Sequence, residues 1–411
     1  MPRCATILVV LGIAAASCQS SAARDATSTT VPAPPATNQE ALETPDRIVV
    51  ATTSGAIVVH GVGGGELMRI DPSEDSIFRQ PTWLDASTIV FSEVSETGDH
   101  ALIAADAETG DVVWRAEMET PPFYFLPAPM GSPYATTSLR NDPAGAGLIA
   151  ELVDRSGETT ALSNESPFYT SWSPDGQDLG IHIAGRRLDV SGATGTATIT
   201  SRTGLFQTPV WIDMGLMTLR TVEGTQSLAV WDNGSFNDIA TLEGPAGFVA
   251  FGDRVAVQPS VRPDTGSVQV GLVTQQLPSV PGGRLVVIDL LSGSMETVST
   301  ELALVYQWDQ VGERLLYATV GSGPVSLIWH QWSGGDTAEI TSFTPQPPWF
   351  RNFVPFFDQY AQSVQFWSAS GDHIGYPAVI GGAPVVVIQS VDGSGSIIIP
   401  DASWSAWAPR S

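Results

Sequence analysis

An all-β ring of four-stranded sheets, closed by its own two chain ends, is the fold class that the sequence predicts, and three observations carry the prediction. Gly 40 and Pro 30 stand against only 15% charged residues in 411, a composition suited to short strands and many turns. Two sequence phrases alternate along residues 47–411 at nearly constant spacing. The chain also enters this array part-way through one unit and leaves it with the missing part.

The N-terminal segment precedes the array. Met1-Pro2-Arg3 is a short positive start, and Ala5 to Ala16 is an apolar run too short to span a bilayer as a permanent helix. Ala15-Ala16-Ser17-Cys18 resembles a bacterial lipobox. That resemblance implies a lipoprotein signal peptide over residues 1–17, lipidation of Cys18, and an extracytoplasmic protein anchored in the cell envelope; an ordinary cleaved signal peptide is the alternative. Cys4 and Cys18 are the two cysteines, so a chain processed in this way has no disulfide and rests on packing alone. Residues 18–46 combine the cysteine with a Ser/Thr/Ala/Pro-rich stretch lacking apolar periodicity, the composition of a disordered tether. Its root-mean-square reach would be roughly 30 Å.

The first repeated phrase is an aromatic, a turn and an apolar strand. Its fullest copy is Ser171-Trp172-Ser173-Pro174-Asp175-Gly176, followed by Leu179-Gly180-Ile181-His182. Related copies begin at Trp83, Phe125, Trp211, Phe248, Trp308 and Trp367, and an incomplete one at Trp407 ends the chain. The second phrase is strand, turn, strand, with its glycine at 65, 110, 157, 195, 234, 293, 335 and 393. Ala56 to Ile70 aligns without a gap on Ala101 to Arg115. Two hairpins per unit of roughly 46 residues describe one propeller blade, strands A and B from the aromatic phrase and C and D from the glycine phrase.

The array begins with a B-C-D set near Arg47 to Ile70 and ends with a lone A strand around Trp407. Pairing the two closes the ring and removes the open sheet edge. An eight-bladed β-propeller follows, or a seven-bladed one if a weak copy such as Phe125 or Phe248 is not a blade. The Trp-Ser-Pro-Asp-Gly phrase resembles the repeat of the TolB-like, WD40-like (PD40) bacterial propellers. A second resemblance lies in Ala104-Ala105-Asp106-Ala107-Glu108-Thr109-Gly110-Asp111-Val112-Val113-Trp114, which is similar to the tryptophan-docking pattern of quinoprotein-like propellers and implies packing between blades. Quinoprotein catalysis remains the enzyme alternative, together with action on an extracellular saccharide or peptide through the channel.

Charge and residue types restrict function. All 18 basic residues are arginine, against 43 Asp plus Glu and a net charge of -25. That balance argues against nucleic acid or anionic lipid as a partner, and the absence of lysine removes Schiff-base and P-loop chemistry. The five histidines, His60, His100, His182, His330 and His373, fall in different blades without metal-ligand spacing. No cofactor, metal or catalytic set is expected.

Two spacing anomalies locate the candidate site. One insertion, 260–282, separates strands B and C of the Phe248 blade; the other, 342–363, separates strand D of the Trp308 blade from the next A strand. Both connections belong to one face of an up-and-down propeller, so both insertions should rise there and flank the Trp308 blade, while residue 47 starts on the opposite face. The second insertion holds Trp349, Phe350, Arg351, Phe353, Phe356, Phe357, Asp358 and Tyr360. So many rings do not suit a solvated loop. They form either a lid that packs on the ring and plugs the channel mouth, or an exposed site for a protein or small ligand. The expected function is a lipid-anchored, non-catalytic binding module whose partner is an envelope protein or a small ligand.

Overall fold

The computed structural model describes residues 46–410, except for 260–278 and the positions 146, 164, 166–167, 194, 202, 204–206, 223 and 324. Residues 1–45, on which the expected signal peptide, the lipidated Cys18 and nearly all of the expected tether fall, lie outside the described residues. Those described form eight antiparallel sheets in ring order, numbered here as blades one to eight from the N-terminal B-C-D set. Both weak copies are real strands: Phe125 and Phe248 are buried in the A strands of blades three and six.

The A strands surround the central channel. They span Ala402–Trp407 in blade one, Ser76–Trp83 in blade two, Pro122–Pro127 in blade three and Phe168–Trp172 in blade four. Val210–Ile212, Ala246–Phe251 and Ala303–Trp308 follow in blades five to seven. In blade eight the expected strand shrinks to a bridge between Trp367 and Ile374. Phe366 O still accepts from Gly375 N of the B strand at 2.9 Å, but Gln365 O accepts from Trp407 N of blade one at 3.0 Å. Ring closure is as expected: Ile48 pairs with Trp407, Val49 with Ala406 and Val50 with Ser405.

The repeated tryptophan has a shared task. Trp83, Trp172, Trp308 and Trp367 each donate an indole N–H to a backbone carbonyl near or within the preceding blade's A strand, on Ala406 at 2.9 Å and on Leu126, Val249 and Gln307 at 3.3 Å. One side chain thus supplies buried apolar area and a satisfied polar tip at each seam. Trp114 of the quinoprotein-like phrase belongs to a buried apolar cluster that spans a seam and includes Phe125, Ala135 and Val153 of blade three. The turn before it is held by Asp106, whose Oδ1 accepts from the amides of Glu108 at 2.9 Å and Thr109 at 2.8 Å. Gly110 takes φ +79° there, a conformation that a β-carbon resists. In the first copy the left-handed position falls on Gly64 rather than Gly65.

The faces are as the topology requires. Arg47 donates to Ala86 O in the A-to-B turn of blade two, and the Asp46 carboxylate accepts from Ser370 N at 3.0 Å in the corresponding turn of blade eight. The helical insertion lies on the other face, after the D strand Asp336–Phe343. The described part of the first insertion does not lie beside blade seven, however. Most of the first lies outside the described residues, but its return, Ser279–Val280, pairs in parallel with Thr241 and Leu242 at the outer edge of blade five. Capping that open edge draws it backward. The second turns inward, where its rings meet Tyr124, Tyr306 and Trp404 of the A strands.

Candidate functional site

The second insertion is a compact plug. Pro347 opens the helix α1 (Pro347–Asn352), where its missing N–H costs nothing, and a 3-10 turn (Val354–Phe356) and the short helix α2 (Phe357–Tyr360) follow. The i,i+4 spacing of Trp349 and Phe353, the C-cap residue, puts both rings on one face of α1. They stack at 5.3 Å, and Phe353 stacks on Tyr360 at 4.9 Å. Trp404 of blade one meets Phe353 and Tyr360 edge-on at 5.8 and 5.6 Å, and Tyr124 of blade three meets Tyr360 at 5.3 Å. Trp349 and Phe353 retain only 3% and 1% exposure.

Polar groups tie the plug around the ring. The Gln307 amide of blade seven donates to Ala361 O at 3.0 Å and to Val364 O at 2.7 Å. Gln346 donates to Val385 O at 2.9 Å in blade eight and to Ala402 O at 2.7 Å in blade one. Tyr124 donates to Gln359 O at 3.0 Å, Gln362 to Pro209 O at 3.0 Å, and Thr82 to Ser363 O. On the far side Phe357 packs on Tyr306 at 4.5 Å. The Asp358 carboxylate accepts from Gln207 Nε2 at 3.3 Å and Thr208 N at 3.4 Å. Although the residue keeps partial exposure, desolvation of that carboxylate raises its pKa. Burial pushes the Tyr360 phenol up to about 12, and burial first and the Asp358 charge second raise those of Tyr169 and Tyr306.

Beside the plug lies a cavity of about 940 Å³, bounded by the plug and by blades one to four. It opens on the plug-bearing face. Trp349, Arg351, Asn352, Phe356, Gln359 and Tyr360 form its plug side, and Phe78, Arg79, Gln80, Phe123, Tyr169 and Trp404 belong to the ring side. Gln80 shows how the wall is shaped. It has φ +52° in the middle of an inner strand, at a break in pairing between Arg79 and Thr82. Such a bulge re-aims neighbouring side chains; Gln80 Nε2 reaches Tyr360 Oη at 3.4 Å.

The aromatic residues named from sequence therefore separate into two groups. Trp349, Phe353, Phe357 and Tyr360 anchor the plug rather than stand exposed, and Trp349 and Tyr360 also line the cavity. Arg351 and Phe356 are exposed cavity residues, and Phe350 is exposed outside the lining. Sequence reading missed the ring half of the site, including Arg79, Gln80, Tyr124 and Trp404. One signal was present: Pro81 interrupts a strand pattern, which marks a bulge. The rings of His60, His100, His182 and His330 bond locally or across seams, as with His182 Nδ1 and Gln207 O at 2.7 Å and His330 Nε2 and Thr319 Oγ1 at 2.9 Å. Among the described residues no group of three His, Cys, Asp or Glu is placed to hold a metal ion.

Solved propellers resemble the ring at low identity. Dihydro-heme d1 dehydrogenase NirN, in complex with DHE, is 11% identical with a TM-score of 0.53, over 88% of this chain and 75% of that one. A prolyl endopeptidase is 11% identical with a TM-score of 0.51, over 82% of this chain and 50% of that one; the chain spans about half of that enzyme's length. TolB from Acinetobacter baumannii is 12% identical with a TM-score of 0.37, over 82% of each chain. No protein-family model matches the chain, and no curated protein matches it in sequence. The ring itself and the likenesses to NirN and the prolyl endopeptidase bear out the eight-bladed β-propeller at the level of fold.

Proposed function

We propose that the chain is a lipid-anchored, extracytoplasmic and non-catalytic binding module that takes a protein or small ligand on its plug-bearing face. The observation that carries this reading is the division of one aromatic insertion into two sets of side chains. Trp349 and Phe353 close the channel, while Arg351 and Phe356 form a wall of the 940 Å³ cavity. A plugged channel favours recognition at the rim over chemistry in the pore, and a mostly apolar concavity with a few polar groups is the usual form of a ligand site. The described chain enters the ring on the opposite face, near Asp46.

The test uses the full chain in its native envelope with a photo-crosslinking residue at position 356 in the cavity or at 311 on the opposite face. Labelling of a discrete partner or ligand from 356 and not from 311 supports the reading; equal labelling, or none from either, refutes it. The anchor is tested separately: Cys18→Ser should move the protein out of the membrane fraction, and an unchanged distribution would exclude lipidation at that residue.

A further inference from the structure

The chain carries 43 Asp plus Glu against 18 Arg, yet no acidic residue is among those that line the cavity. Two arginines are. Arg79 comes from the inner strand of blade two and Arg351 from the plug. Neither has a carboxylate within 4.0 Å among the described residues, whereas Arg47, Arg69, Arg115, Arg140, Arg187, Arg220 and Arg314 are each paired with one. Arg351 donates only to Pro347 O of its own helix, at 3.3 Å. In a molecule whose net field repels anions, two guanidiniums without counter-ions at one concavity form a local reversal of sign.

The rest of the wall determines what the anion carries. Ile77, Phe78, Phe123, Trp349, Phe356 and Trp404 make the lining mostly apolar, and about 940 Å³ is far more than a small inorganic anion fills. The bulge at Gln80 adds to this, because it holds the residue after Arg79 in a left-handed conformation inside an inner strand. Strain of that kind persists where the surroundings over-determine it, commonly at ligand sites. Guanidinium presents a planar fork that fits a carboxylate in two-point fashion and also stacks on rings.

We infer that the cavity binds an amphipathic carboxylate, with an apolar or aromatic body against the plug rings and its anionic group between Arg79 and Arg351. This rests on the plug-bearing face being a binding site, and it adds the ligand's class. Such a molecule is an organic acid with a ring or chain of roughly naphthalene size or larger.

The test pairs 1-naphthoate with its neutral isostere 1-naphthamide, titrated calorimetrically against the full chain. The acid should bind about tenfold or more tightly than the amide, and the preference should shrink as salt rises. Arg79→Gln and Arg351→Gln should each lower acid affinity toward that of the amide and leave the amide unchanged. Arg155→Gln, on the opposite face, should change neither. Equal binding of acid and amide, with both weakened by Phe356→Ala, would overturn the anion inference while the ligand-binding reading stands. Binding of neither compound, with position 356 still labelling a partner, would overturn it in favour of a protein interface.

Discussion

Phe353→Ala tests whether the insertion is an integral plug. The ring is 1% exposed and sits among four others, Trp349 at 5.3 Å, Tyr360 at 4.9 Å, Phe366 at 5.4 Å and Trp404 at 5.8 Å. A buried phenylalanine removes roughly 200 Å² from water, which at about 25 cal/mol per Å² is worth up to ~5 kcal/mol. Alanine retains a small part of that area, but the enclosing rings cannot collapse fully into the space, so the expected loss is about 4 kcal/mol. Phe356, at 45% exposure, buries about half as much and has solvent beside it; Phe356→Ala should cost under about 2 kcal/mol. Urea denaturation measures both losses. Amide hydrogen exchange over residues 346–364 shows where the weakness lies, and opening should begin there in Phe353→Ala. If the two variants lose stability within about 0.5 kcal/mol of each other, or if plug amides exchange as in wild type, the insertion does not hold the channel in the way described.

Two further predictions concern the ring. Trp308→Phe keeps a ring at the seam but strands Val249 O, the acceptor at 3.3 Å, and should cost about 1 to 2 kcal/mol. Trp211→Phe should cost less, since that indole N–H has no partner among the described residues; equal losses by thermal denaturation would contradict a role for the seam bond. At acid pH the turn aspartates matter. The Ser394 hydroxyl, with Ser390 and the Ser394 amide, holds Asp392 at about 2, and the Thr109 amide, the Ser156 hydroxyl and the Ser292 amide are the first causes of the lowering at Asp106, Asp154 and Asp289. These folded values lie below the unfolded value near 3.8, so their stabilisation is complete above that value and is lost as pH falls through the folded values. The thermal midpoint should hold down to about pH 5 and fall between about 4 and 2. Asp392→Asn should flatten part of that fall, and parallel curves for the two proteins would refute the assignment.

The sequence by itself determined the blades. Each is two hairpins, and a hairpin is written in a few neighbouring residues, an apolar strand and a turn that needs Gly or Asp. Every one of the eight glycine markers falls at a C-to-D turn, and closure by Trp407 on Ile48 follows from where the repeat starts and stops. The A strand of blade eight is shortened to a bridge, and next to it Gln365 O bonds Trp407 N of blade one. Only the tertiary structure decided the site. A cluster of rings in the insertion shows that it must bury area, but its direction depends on Tyr124, Tyr306, Gln307 and Trp404, which come from three different A strands of the ring. No periodicity links the three strands, which lie far apart in sequence and become neighbours only around the channel. Arg79 and Arg351 meet at one cavity for the same reason: local patterns specify hairpins, while the convergence of distant strands on a channel is a property of the closed ring.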